Sequence, residues 1–140
     1  MKKINSVLLI DDDKATNFIT KMLIKKAAIT DHIEIVLNGQ EALDYLTNSG
    51  KFEKPDGIFP QPMLIFLDIN MPVMDGWEFA EVFDTLTPDQ KGDAKIIMLT
   101  SSLNPDDKER ALKLPAITDF QSKILSAEAL QYILDEYFKE

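Results

Sequence analysis

Apolar residues along the chain fall into two spacings. Short, nearly unbroken apolar runs stand at 7–10, 33–37, 63–67 and 96–99, with a weaker one at 116–120. Runs this short, apolar on both faces and ending where polar residues begin, suit strands buried in a parallel sheet. Between them the spacing becomes helical. Phe18, Ile19, Met22, Leu23 and Ala27 form one stripe, with Lys14, Lys21, Lys25 and Lys26 mostly off it, which predicts a helix with that stripe as its core face. Asn38-Gly39 punctuates the second run and leads into a helix over 40–47. Asp75-Gly76 opens a third helix whose apolar members are Trp77, Phe79, Ala80, Val82, Phe83 and Leu86. Pro105, followed by Asp106, Asp107 and Glu109, starts a fourth helix with acidic groups where the helix dipole favours them. Ser126 starts a fifth that reaches Phe138.

Five strands alternating with five helices predict an α/β fold, a doubly wound parallel sheet with helices on both faces. The stretch 49–62, with Gly50, Pro55, Gly57, Pro60 and Pro62, is expected to be a surface loop rather than a domain boundary. A chain of 140 residues fits one domain, 1–140, and no second or output domain is expected.

Composition narrows the chemistry. There is no cysteine and a single histidine, His32, so thiol chemistry is excluded and any metal must sit on oxygen ligands. The net charge of -9 repels phosphate backbones, and Lys2-Lys3 and Lys25-Lys26 are too short to offset it. Direct nucleic-acid binding is therefore not expected. The apolar run at 7–10 is too short for a signal peptide or a membrane span, and the expected location is the cytoplasm, away from membranes. Gly39, Gly76 and Gly92 form neither a dinucleotide fingerprint nor a P-loop. His32, beside a helix–strand turn, is expected to be a solvated residue.

The chemistry-bearing residues follow the strands. Asp11 and Asp12 come after the first, Asp68 ends the third, Thr100 follows the fourth and Lys123 the fifth. In a doubly wound sheet all of these reach the C-terminal edge of the strands, where ligands bind. Any one of them alone could be a cap or a turn former; their coincidence on one edge is what points to a site. Three clustered carboxylates repel one another, and a hard divalent cation relieves that repulsion. All-oxygen ligands favour magnesium, manganese or calcium over zinc, and few carboxylates suit magnesium best. Lys123 and Thr100 suit phosphate oxygens, so the set fits phosphoryl chemistry with one carboxylate as acceptor.

The stretch Leu67-Asp68-Ile69-Asn70-Met71-Pro72-Val73-Met74-Asp75-Gly76 closely resembles the segment around the phosphorylated aspartate of two-component response-regulator receiver domains. Ile10-Asp11-Asp12-Asp13, Leu99-Thr100-Ser101 and the distant Lys123 occur in that family's order, and the likeness spans essentially the whole chain. The resemblance implies a flavodoxin-like fold with strand order 2-1-3-4-5 and a stand-alone phosphoacceptor acting in a phosphorelay. It implies Asp68 as the phosphorylated residue and magnesium (or manganese in its place) held by Asp12, Asp68 and the Asn70 carbonyl, with Asp11 acting largely through water. Lys123 and Thr100 would contact the phosphoryl group, and Phe120 would be the switching aromatic. The donor would be a histidine kinase or histidine phosphotransfer protein, and a protein target would be met in trans through the surface from Pro105 to Phe138. Two positions depart from the family: Ile124 follows Lys123 where proline is usual, and Leu114-Pro115-Ala116 replaces a Gly-Ala lead into strand five, which is expected to alter the end of the fourth helix. An aspartyl-phosphate hydrolase would carry a second aspartate two residues after its nucleophile; here that residue is Asn70. The protein is therefore expected to receive phosphate and at most to lose it slowly, not to act as an enzyme. A receiver-like scaffold that never takes up phosphate is the remaining alternative, suggested only by Ile124 and Pro115.

Overall fold

The computed structural model describes residues 4–49, 61–101 and 104–138. Its strands are β1 (Val7–Ile10), β2 (Ile33–Val36), β3 (Leu64–Asp68), β4 (Lys95–Thr100) and β5 (Ile117–Ser122). Its helices are α1 (Lys14–Ala27), α2 (Gly39–Leu46), α3 (Gly76–Phe83), α4 (Pro88–Lys91), α5 (Pro105–Leu112) and α6 (Ala127–Tyr137). The strands form one parallel sheet in the order β2-β1-β3-β4-β5, the expected doubly wound order.

Alternation along each central strand divides the core between the two faces of the sheet. Leu8, Ile10, Ile65, Leu67, Ile96 and Met98 pack with residues of α2 and α3 on one face. Val7, Leu9, Leu64, Phe66, Ile97 and Leu99 pack with Ile24 of α1 and with Leu130 and Ile133 of α6 on the other. Burying both faces explains why these strands read as unbroken apolar runs.

Local chemistry sets the helix ends. The Asp13 side chain accepts from the Ala15 and Thr16 amides at the start of α1, which ends at Ala28 in the left-handed region, φ 56°. Asn38 caps α2 and Ser126 caps α6, while Asp75 and Glu78 form a reciprocal capping box at α3. Each such cap contributes about 1 kcal/mol. Thr87 and Gln90 make a second box over α4, with Pro88 in the first turn.

Several expectations need correction. The third helix was expected to run on to Leu86; it stops at Phe83, and the extra turn α4 follows, because the Thr87-Pro88 cap restarts the helix. The five expected helices are thus α1, α2, α3, α5 and α6. Asp68 ends β3 as expected, whereas Thr100 is the last residue of β4 rather than the first residue beyond it. The weakest expected strand, 116–120, lies at Ile117–Ser122. Helix α5 ends at Leu112, ahead of the turn through Leu114 and Pro115.

The largest correction concerns α1. Phe18, Ile19 and Met22, expected in the core, are 63%, 43% and 56% exposed. Thr16, Asn17, Thr20 and Ile24 are buried instead. A polar residue that satisfies a buried backbone group can displace an apolar one from the inner face, and Asn17 does so at the site described below. Trp77, Phe79 and Phe83 are buried as expected, and Trp77 has the Arg110 guanidinium 4.2 Å above its ring. His32 is half-buried rather than solvated, with Nε2 3.4 Å from the Tyr45 hydroxyl and 3.8 Å from Glu34. The 50–60 part of the expected loop lies outside the described residues. No helix among the described residues is long and apolar enough to cross a membrane.

Candidate functional site

The C-terminal ends of β1, β3 and β4 are adjacent in the sheet, so register alone brings Asp11, Asp68 and Thr100 to one edge. Asp68 pairs across the ladder with Leu99. The loop from β5 then returns Lys123 to the same place, where its amide donates to the Thr100 carbonyl at 2.8 Å. The Lys123 ammonium lies 2.9 Å from Asp11 Oδ2 and 3.1 Å from Asp68 Oδ1, bridging carboxylates from two strands. Asp12 completes the cluster: each of Asp11, Asp12 and Asp68 offers a carboxylate oxygen within 4.8 Å of the others.

Burial is graded across the set. Asp11, Asp68 and Thr100 are 5%, 8% and 4% exposed, whereas Asp12 and Asn70 are open to solvent. The buried aspartates are fixed by neighbours. Asp11 Oδ1 accepts from the Asp13 amide at 2.9 Å, and the Asp11 carbonyl accepts from the Asn17 side chain at 2.8 Å. Asn17 was not singled out in the sequence; the available signal was a polar residue in the arc that faces the sheet. Gly76 opens the third helix and ends the family-like segment in the sequence, but its approach to Asp68 is not legible there. Its amide donates to Ile69 at 2.7 Å, and a Cβ there would stand 2.3 Å from the Asp68 carbonyl oxygen, so only glycine lets α3 approach the end of β3 this closely.

The electrostatics show a deficit of positive charge. Burial, followed by the charge of Asp11, pushes the Asp68 carboxyl above its ordinary value against the opposing pull of Lys123. Burial lowers Lys123, but its hydrogen bonds and ion pairs with Asp11 and Asp68 outweigh that and leave it raised. An ion pair would normally push the carboxylate down; Asp68 goes up because burial, and then the Asp11 charge, outweigh the pull of the single shared ammonium. Oxygen-only donors, three clustered carboxylates and a single counter-charge fit a hard divalent cation such as magnesium.

Phe120 lies on β5, partly buried against the core, and lines a groove with Asn104, Pro105, Lys108 and Tyr132. It stands apart from the carboxylate cluster, on the α5–β5–α6 side. The peptide bond between Lys123 and Ile124 is cis.

A doubly wound sheet in this order, with an aspartate cluster and a lysine at its C-terminal edge, is the arrangement of a receiver domain. Residues 7–135 match the response regulator receiver domain family, and the chain belongs to it. It is 34% identical over 102 residues to response regulator Rcp1 of Synechocystis sp., a match covering 72% of this chain and 65% of Rcp1, just under two thirds of that relative's length. Among solved structures it is similar to a two component response regulator from Cytophaga hutchinsonii, with a TM-score of 0.82, 32% identity and coverage of 99% of this chain and 100% of that one. It is also similar, with a TM-score of 0.75 and 27% identity over 97% of this chain and 89% of the other, to a chain in the co-crystal structure of the Saccharomyces cerevisiae histidine phosphotransfer protein Ypd1 with the receiver domain of Ssk1.

Proposed function

We propose that Asp68 accepts a phosphoryl group from the phosphohistidine of a histidine kinase or histidine phosphotransfer protein, and that the modified domain signals to a protein partner. The observation that carries this reading is the Lys123 bridge, with its ammonium 2.9 Å from Asp11 and 3.1 Å from Asp68 beside the third carboxylate, Asp12. In the transfer a carboxylate oxygen of Asp68 forms a bond to phosphorus, the phosphorus–nitrogen bond breaks, and the imidazole nitrogen keeps the electron pair. Asp11, Asp12, Asp68 and the Asn70 carbonyl are the groups that would hold magnesium, which supplies positive charge against the carboxylates and the incoming phosphoryl oxygens. Manganese could serve in its place.

Lys123 is positioned to exchange its carboxylate partners for a phosphoryl oxygen, and the Thr100 hydroxyl to donate to another. An acyl phosphate adds about two negative charges, which would draw Thr100 and Lys123 inward. Because the Lys123 amide is bonded to the Thr100 carbonyl, the ends of β4 and β5 would move together. That coupling supports Phe120 as the switch and α5–β5–α6 as the surface that changes. Asn70 at the second position after Asp68 argues against an aspartyl-phosphate hydrolase, which needs an acid there.

The test is intact mass after incubation with acetyl phosphate, with and without magnesium, on wild type and Asp68→Asn. A single magnesium-dependent phosphoryl adduct on wild type alone is expected. Stoichiometric uptake by Asp68→Asn would move the acceptor elsewhere.

A further inference from the structure

Helix α5 has almost no buried side chain to anchor it. Of its residues only Ala111 is buried. Arg110, one position earlier, is exposed along its length yet lays its guanidinium 4.2 Å from the centroid of the Trp77 ring on α3. Trp77 is 8% exposed and belongs to the same core cluster as Phe79 and Phe83. The ring is therefore a fixed platform, and the arginine is the part that can leave it. Among the described residues the guanidinium makes no ion pair.

Both partners of this contact lead back to the aspartate site. Trp77 follows Gly76, whose amide donates to the Ile69 carbonyl at 2.7 Å and where an added Cβ would stand 2.3 Å from the Asp68 carbonyl oxygen. Arg110 lies on the helix that follows Thr100, the last residue of β4. The stack thus joins the element packed on the end of β3 to the element that leaves the end of β4, without touching a carboxylate.

We infer that Arg110 is a positioning residue: its stack on Trp77 holds α5 where it lies before phosphorylation, and is given up when Thr100 is drawn toward a phosphoryl group. This rests on the reading of Asp68 as the phosphoacceptor. Cation–π attraction needs the cation within about 6 Å of the ring centroid, so moving α5 by about 2 Å against α3 releases it. With Ala111 as its one buried residue, α5 has little else to resist that movement. A ligand that favours the moved position must overcome the stack, and its apparent affinity falls by the fraction of chains held back. For an exposed arginine over an aromatic ring that reduction is about two- to fivefold.

Trp77 is the single tryptophan of the chain, so its fluorescence reads the stack without a label. Beryllofluoride, a mimic of the aspartyl phosphoryl group, is titrated with magnesium present into wild type, Arg110→Ala and Arg110→Lys. Calorimetry gives the affinity, and tryptophan emission follows the stack. Wild-type emission is expected to shift as beryllofluoride saturates. Arg110→Ala should start close to the saturated wild-type emission, shift little, and bind beryllofluoride about two- to fivefold more tightly. Arg110→Lys keeps a cation over the ring and should fall between the two. Because Arg110 is exposed, Arg110→Ala should keep its circular dichroism spectrum. Equal or weaker binding by Arg110→Ala, or wild-type emission that stays still while beryllofluoride binds, would overturn the inference and leave the phosphoacceptor reading standing. Wild type that binds no beryllofluoride would overturn both.

Discussion

One ammonium, that of Lys123, stands between the Asp11 and Asp68 carboxylates, with Asp12 a few ångströms away. Burial and Asp11 raise the Asp68 carboxyl in the folded chain. The folded state therefore keeps a proton that the unfolded chain releases once pH passes the ordinary carboxylate range. Stability from this group is fully present below that range and is lost as pH rises through the raised folded value. Thermal melts of metal-free protein should accordingly fall as pH rises above the ordinary carboxylate range, and magnesium should reverse the loss by ~2.7 kcal/mol at about a hundredfold excess over its Kd. Asp68→Asn should remove most of the pH dependence; a wild-type melt flat in both pH and magnesium would contradict the charge deficit. Val73 is a second single-residue case. It is β-branched, 80% exposed and held at φ 67°, where Val is strained and Asn is tolerated. Val73→Asn should raise stability by roughly 0.5–1 kcal/mol in denaturant melts, while leaving magnesium affinity unchanged.

Between elements, the spacing of α3 from β3 decides how Asp68 is presented. Gly76 begins α3, where an added Cβ would collide with backbone at 2.3 Å rather than with a side chain that could move aside. Gly76→Ala should cost about 1–3 kcal/mol, the usual range for overpacking. It should also lower the rate of phosphoryl uptake from acetyl phosphate, because relief of the clash shifts the end of β3. A variant of wild-type stability and uptake would show that α3 can retreat freely. Helix α5 is held more thinly: only Ala111 is buried, and Arg110 reaches across to stack on Trp77 of α3. An element anchored by so few apolar contacts belongs to the less stable part of a fold, which suits a helix whose preceding strand ends at Thr100.

Across the whole molecule the two faces of the sheet separate the roles. One carries α2, α3 and α5, and the other carries α1 and α6 with the exposed Phe18, Ile19 and Met22. The end of the sheet opposite the aspartates carries its own buried polar group. Burial, then the charge of Glu34, pushes the Tyr45 hydroxyl up to about 12. Unfolded tyrosine ionises near pH ~10, so the folded chain retains a proton that the unfolded chain has lost. This contribution to stability is whole below pH ~10 and disappears as pH climbs to about 12. Denaturant melts should show an alkaline decline over that window, reduced in Tyr45→Phe. An identical decline in the variant would assign the loss to other groups.

Much of this architecture is legible in the linear chain. The apolar runs of β1, β3 and β4 are long enough to be buried on both faces, and each ends at a polar group, so they declare a parallel sheet with its chemistry at one edge. Asp11, Asp12, Asp68, Thr100 and Lys123 can be read in order for that reason, and the segment from Leu67 to Gly76 marks the family. Spacing cannot say which arc of a helix faces inward when two arcs compete. In α1 the apolar stripe lost to Thr16, Asn17, Thr20 and Ile24, because Asn17 satisfies the buried Asp11 carbonyl while Phe18 and Met22 remain in solvent. Nor can it show one lysine shared by carboxylates from two strands, a glycine against the Asp68 carbonyl, or an arginine stacked on Trp77. Those contacts join residues distant in sequence, and their distances exist only once the sheet has set its register. The sequence by itself determined the kind of fold and the inventory of the site; the tertiary structure decided which groups meet and which stay in solvent.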